Sequence, residues 1–221
     1  MDKIRIVVAD DHAVVRQGIC YLLGREPDLE VVGEAGDGET AIKIIDQLRP
    51  DVAIVDIAMP KLNGIEVTRQ VKPRCPSMAV LILTAYDDDE YIAALLEAGA
   101  AGYLLKGADS RQVVEAVRAV HAGESVLDPA IARKVFSGFI SSSTRVGAEM
   151  PVEELSEREM EVLKLAARGR SNKDIASELS LSMRTVQSHM ASIFDKLGVG
   201  SRTEAVFQAV KLGWLSFEEL A

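Results

Sequence analysis

The sequence predicts two units: an α/β domain built on a doubly wound parallel sheet of five strands, followed by a small all-α domain of four helices. Three observations carry this. Short apolar runs alternate five times with amphipathic segments over the first 122 residues. Those runs are continuously apolar (Ile-Val-Val-Ala, Val-Ala-Ile-Val, Val-Leu-Ile-Leu), which suits parallel strands covered on both faces. The last 70 residues hold no such run and are punctuated by helix caps and glycines.

Taken in order, strands are expected at Ile4–Ala9, Leu29–Ala35, Val52–Asp56, Ala79–Thr84 and Gly102–Lys106. Helices are expected at Ala13–Leu23, Thr40–Leu48, Gly64–Val71, Glu90–Ala98 and Ser110–His121, where apolar residues recur near helical spacing. This alternation fills residues 1–124, the length of one flavodoxin-like domain. Asp128-Pro129 reads as an N-cap with proline at the first helical position, opening a connecting helix Pro129–Ile140. The stretch from Ser141 to Pro151 is small, polar and aperiodic, so residues 125–150 read as a linker. In residues 151–221, Ser156-Glu157-Arg158-Glu159 is a capping box for a helix to Ala167, closed by Gly169. Ser171 caps Asn172–Leu179, and Ser182 caps Met183–Leu197, which ends at Gly198. A fourth helix, Arg202–Leu212, stops at Gly213. Two helices joined by the tight Ser180-Leu181-Ser182 break form the helix-turn-helix pattern.

Composition narrows the function classes. At 48% hydrophobic and 27% charged residues, disorder along the whole chain is excluded. No apolar run reaches the ~18 residues of a membrane helix, so no membrane association is expected. Met1-Asp2-Lys3-Ile4-Arg5 runs straight into a strand, so no signal peptide is expected, and the distant Cys20 and Cys75 suit reduced thiols in a cytoplasm. The net charge of −9 argues against nucleic acid as a partner, but charge is distributed unevenly. Lys164 to Arg202 holds seven bases against three acids, a net of +4. A local basic segment of this kind is the form an electrostatic footprint takes, and also the form of a solvated helical face.

In an open α/β sheet, ligands bind beyond the carboxyl ends of the strands. Those ends carry Asp10-Asp11, Asp56, Thr84 and Lys106. Converging carboxylates repel unless a cation joins them, and an all-oxygen anionic set suits Mg2+. A carboxylate beside Mg2+ can take up a phosphoryl group as an acyl phosphate, while a hydroxyl and an ammonium bind its remaining oxygens. Over residues 3–122 the chain resembles the receiver domains of bacterial response regulators, in the acidic pair, the acceptor aspartate, Thr84-Ala85 and the lysine. The resemblance implies that Asp56 is the phosphoacceptor and a metal ligand. It further implies that Asp11 binds Mg2+ directly, Asp10 through water, and the backbone carbonyl of Ala58 as the third protein ligand. Thr84 and Lys106 are then phosphate-binding, and Tyr103 is the aromatic switch that follows Thr84. Many receivers have proline after the lysine, often in a cis peptide, where this chain has Gly107.

On Met183–Leu197 the apolar stripe is Val186, Met190, Ile193, Phe194 and Leu197, leaving Arg184, Thr185, Gln187, Ser188, Ser192 and Lys196 outward. Short polar side chains near a helix start suit contacts with base edges and phosphates. From Leu155 to Ala205, including Asn172-Lys173-Asp174-Ile175-Ala176 and both caps, the chain resembles the LuxR-type output domain of NarL/FixJ regulators. Lys173, Ser182 and the six outward residues are the DNA contacts this implies, although the family often has lysine at the positions of Gln187 and Ala191. The two resemblances together imply a phosphorylation-dependent transcriptional regulator of a two-component system, not a turnover enzyme. The implied partners are a sensor histidine kinase, promoter DNA, a second copy of the phosphorylated chain and, as a further candidate, RNA polymerase.

Other readings compete. A haloacid-dehalogenase-type phosphatase would place a second carboxylate two residues after the nucleophile, where this chain has Ala58. A dinucleotide site would need glycines at the first, third and sixth positions, whereas Gly33, Gly36 and Gly38 stand at the first, fourth and sixth. His12, His121 and His189 share no ligand-like spacing and read as structural or solvated. A four-helix protein-interaction module remains the alternative for the last domain.

Overall fold

The computed structural model describes residues 3–85, 94–95, 97–127 and 153–215. The helix expected at Glu90–Ala98 lies largely outside these residues, and the connecting helix Pro129–Ile140 and the Ser141–Pro151 stretch lie wholly outside them. Numbering the described elements in chain order gives β1 (Ile4–Ala9), α1 (Ala13–Leu23), β2 (Leu29–Ala35), α2 (Gly38–Leu48), β3 (Val52–Val55) and α3 (Gly64–Val71). There follow β4 (Ala79–Thr84), β5 (Gly102–Leu105), α4 (Ser110–His121) and β6 (Val126–Leu127). The second domain holds α5 (Glu157–Ala167), α6 (Asn172–Glu178), α7 (Met183–Leu197) and α8 (Arg202–Lys211).

All the strands run parallel in the order β2-β1-β3-β4-β5-β6. Alternate strand residues face opposite ways. Val7, Ala9, Ala53, Val55, Val80 and Ile82 therefore join Ile42, Ile45, Ile65 and Val67 of α2 and α3 on one side. Ile6, Val8, Val52, Ile54, Leu81 and Leu83 join Ile19, Leu23, Val113 and Val117 of α1 and α4 on the other. Two apolar layers explain why the strands read as unbroken apolar runs.

Five strands were expected, and the described residues form six. The sixth pairs Val126 with Gly102 and Leu127 with Tyr103, inside the stretch read as linker. Two residues are too few to set up a period, and their strand character comes from the exposed edge of β5. α2 begins at Gly38, two residues before its expected start at Thr40, because the Asp37 side chain accepts from Thr40 N and caps the helix there. Asn63 with Glu66 and Asp109 with Gln112 close capping boxes on α3 and α4.

The second domain packs four helices around Val162, Leu163, Ile175, Val186, Met190, Ile193 and Ala209. Ser156, Ser171 and Ser182 cap α5, α6 and α7 as their sequence positions require. Gly198 ends α7 at φ 66°, a left-handed conformation that costs a side-chain-bearing residue far more.

Candidate phosphoacceptor and nucleic-acid sites

The carboxyl ends of β1, β3, β4 and β5 bring the expected residues of the first domain together. Asp10 follows β1 and Asp56 follows β3; both are 2% exposed. Lys106, one residue past β5, places its Nζ 2.8 Å from Asp10 Oδ2 and 2.7 Å from Asp56 Oδ2. Burial opposes the Lys106 charge, but the two carboxylates outweigh it and hold the ammonium above its ordinary range. Each carboxylate is also aimed by backbone, since Asp10 Oδ1 accepts from His12 N and Asp56 Oδ1 from Ile57 N, both at 2.8 Å. Thr84 is fully buried at the end of β4, and its carbonyl accepts from Lys106 N at 2.8 Å. Tyr103, paired with Ile82, is 1% exposed and belongs to the core. No cis peptide occurs among the described residues, so the Lys106-Gly107 bond is trans.

Close packing fixes the acceptor loop after Asp56. A Cβ on Gly64 would stand 2.3 Å from Asp56 O, so only glycine lets α3 begin against the acceptor. Gly64 N donates to Ile57 O at 2.9 Å, and Gly38 N to Pro60 O at 3.2 Å. Ala58, half-buried, lies in this loop.

Asp10, Asp11, His12 and Asp56 offer ligand atoms within 4.8 Å of one another. Two buried carboxylates and a third at the surface form a hard, anionic oxygen set, which fits Mg2+ better than a softer metal. His12 has no ligand-like spacing to another histidine in the sequence. The fold brings its Nδ1 to 2.7 Å from Asp11 Oδ1, with the ring largely exposed.

The second candidate surface is on α7. Arg184, Gln187 and Ser188 are exposed, as is Lys173 on α6. Ser182 and Thr185 bond each other at 2.8 Å across the helix start. The outward orientation expected of Ser192 and Lys196 is corrected. Ser192 Oγ donates to Glu159 Oε1 at 2.6 Å, and Lys196 Nζ donates to Glu159 Oε2 at 2.8 Å. Glu159, 5% exposed, also accepts from Ser156 N at 2.7 Å, so one carboxylate joins the cap of α5 to the far half of α7. Burial works against the Glu159 charge, but Lys196, Ser192 and Ser156 together bring the carboxyl down to about 2. The capping box was legible at Ser156 and Glu159, but its second use, 33 residues away at Ser192, was not.

Arg202 also leaves the local basic count. It is 5% exposed, and its guanidinium donates to Ala166 O at 3.0 Å and to Arg170 O, tying α8 to α5 and to the turn before α6. That burial pushes it down to about 10.

Comparison with known proteins finds a family for each domain. Residues 6–118 match the response regulator receiver domain and residues 153–209 match the luxR family of bacterial regulatory proteins. The transcriptional regulatory protein DegU of Brevibacillus brevis is 37% identical over 97% of this chain and 96% of its own. The oxygen regulatory protein NreC of Staphylococcus aureus is 40% identical over 96% of this chain and all of its own. Among solved structures, the response regulator ChrA of a heme-sensing two-component system covers 97% of this chain and all of its own, with 37% identity and a TM-score of 0.53. A complex of the response regulator RcsB with DNA matches 96% of this chain and all of its own, with 26% identity and a TM-score of 0.57.

Proposed function

The chain belongs to the two-component response regulators that join a receiver to a LuxR-type helix-turn-helix, and from that premise we propose that phosphorylation of Asp56 controls its binding to promoter DNA. The observation that carries this reading is the convergence of Asp10, Asp56 and Lys106 on one buried point at the carboxyl edge of the sheet. An Asp56 oxygen attacks the phosphorus of a phosphohistidine on a sensor kinase. The P–N bond breaks, a P–O bond forms, and the imidazole takes up a proton. Asp10, Asp11 and the Ala58 carbonyl would hold Mg2+, with Asp56 as the shared ligand. When bound, the cation offsets the carboxylates and the incoming phosphoryl oxygens. Lys106 then exchanges its contact with Asp56 for one with a phosphoryl oxygen, and the Thr84 hydroxyl binds another. Tyr103 follows Thr84, and a pairing surface is stabilised as a population shift.

Two output domains pair, with α8 supplying part of the contact, and present α7 to paired half-sites in the major groove. Lys173, Ser182, Arg184, Thr185, Gln187 and Ser188 form the reading face. Ser192 and Lys196 support it through Glu159 and reach phosphate only if they exchange that partner. The chain is thus a cytoplasmic switch whose aspartyl phosphate persists as a signal, with no carboxylate at position 58 to drive turnover. The described helices include none long and apolar enough to cross a membrane.

Labelling with acetyl phosphate and Mg2+, with and without chelator, tests the acceptor. One acid-labile phosphoryl group per chain is expected, lost in Asp56→Asn and on chelation; undiminished labelling of Asp56→Asn overturns the assignment. Genome-wide DNA capture with and without a phosphoryl donor then identifies the promoters.

A further inference from the structure

Among the described residues, the large apolar side chains that stand exposed are Val14 and Tyr21 on α1, Leu212 after α8, and Met183, the first residue of α7. A lone apolar side chain at a surface is ordinary and means nothing by itself. Met183 opens the helix whose outer face carries Arg184, Gln187, Ser188 and Ala191, all of them exposed. That face is short of charge. Arg184 is its one ion, because Lys196 is drawn off to Glu159 and Arg202 is buried against the carbonyls of Ala166 and Arg170. At the helix start the Ser182 and Thr185 hydroxyls bond each other at 2.8 Å, and Ser182 Oγ accepts from Thr185 N at 3.1 Å, so both are engaged in the cap. What α7 offers outward is a thioether methyl, a guanidinium, an amide, a hydroxyl and the Ala191 methyl.

A mostly neutral face of this kind suits base edges better than phosphates, whose contacts draw on cations. Gln187 supplies the amide, and an amide pairs with N6 and N7 of adenine. Every adenine in a duplex brings a thymine, whose 5-methyl is the apolar group that the major groove displays. Met183 and Ala191 stand about one helical turn to either side of Gln187, roughly 6 Å along the axis each way. That distance corresponds to about two base-pair steps of roughly 3.4 Å.

From this face we infer that α7 recognises an A·T-rich half-site through thymine 5-methyl groups. Met183 and Ala191 each cover one such methyl, on either side of an adenine held by Gln187. The inference rests on the placement of α7 in the major groove proposed above. Both side chains meet water on the free helix, and in the groove they shed it together with the thymine methyl, so the gain appears only on binding. The Met183 side chain is unbranched and polarisable, and can follow the groove wall. Ala191 ends at its Cβ, which lets the helix backbone come close to the base edges. Cytosine carries no 5-methyl, so a G·C pair at either position offers these two side chains nothing.

The probe is a duplex enriched from a random pool by the full-length chain in acetyl phosphate and Mg2+. It is then resynthesised with deoxyuridine in place of one thymine at a time. Deoxyuridine removes a single methyl and leaves the pairing edge, the charge and the backbone as they were. The wild-type Kd should rise about threefold at each of two thymines that flank an adenine, with the salt slope unaltered. Met183→Ala should lose the response at one of these thymines and keep it at the other, while Met183→Leu should retain both. Ala191→Gly should show the complementary loss. Because the methyl is deleted from the DNA, the wild-type protein alone decides the case, and misfolding of a variant cannot imitate the result. Equal wild-type affinity for the thymine and deoxyuridine duplexes overturns the proposal, as does a Met183→Ala response identical to that of the wild type. If the pool yields no duplex at all, the reading of α7 as a DNA-binding helix falls, and the thymine contacts fall with it.

Discussion

The acidic end of the receiver and the outward face of α7 place opposite demands on water. Asp10, Asp56 and Thr84 are almost completely buried and stand at the ends of three different strands. Arg184, Gln187 and Ser188 are exposed and lie within five consecutive residues of one helix. The contrast follows from the chemistry. An ammonium gains most from a phosphoryl group where water does not screen it. A helix that reads DNA must keep its donors and acceptors at the surface, because the groove supplies their partners. On the proposed function, burial accompanies chemistry in one domain, and exposure accompanies recognition in the other.

The comparison extends to stability. The receiver has an apolar layer on each face of its sheet, whereas the output domain, described over residues 153–215, relies on one cluster. Small domains bury a smaller share of their surface and have less stability to lose. The largest expected effect is accordingly Ile193→Ala, at the centre of that cluster and 0% exposed. A loss of about 2–5 kcal/mol should unfold the output domain in low urea while receiver circular dichroism persists. A single transition for both domains would break the comparison.

Gly64→Ala probes the buried site without touching a charge. Its Cβ would press on Asp56 O, so a loss of about 1–3 kcal/mol and slower labelling of an intact Asp56 are expected. Wild-type labelling and stability would mean that the acceptor loop is not held by this contact.

The pair Lys196→Ala and Arg184→Ala sharpens the contrast within α7. Arg184→Ala should lower the salt slope of DNA binding by about one if Arg184 touches phosphate. Lys196→Ala should instead lower the melting temperature of the output domain slightly and leave the slope within ~0.2 of wild type. The reverse pattern would put Lys196 on DNA.

The smallest effect is a pH dependence. The Glu159 carboxyl is held at about 2 in the folded chain, against 4.5 ordinarily. A depressed folded value means that its contribution is present above pH 4.5 and is lost as pH falls towards 2. Glu159→Gln should flatten the acid limb of the output-domain stability curve in that window. An unchanged limb would remove Glu159 as its source.

Local pattern was enough for much of this protein. Strand runs, helix periods and caps at Ser156, Ser171 and Ser182 depend on neighbours within a few residues, and the parallel sheet follows from the alternation. Asp10, Asp56, Thr84 and Lys106 were legible as a set because an α/β sheet delivers its strand ends to one edge whatever lies between them. Folding alone decided which polar groups chose one another. Glu159 took Ser192 and Lys196 from the outward face of α7, and Arg202 went inside to carbonyls of α5 and the turn before α6. β6 formed because β5 left an edge open, and Ser201 found a carbonyl 101 residues away at Ala100. A hydrogen bond carries no trace in the sequence around either partner when both groups would be equally satisfied by water. Only the shape that excludes water selects among them.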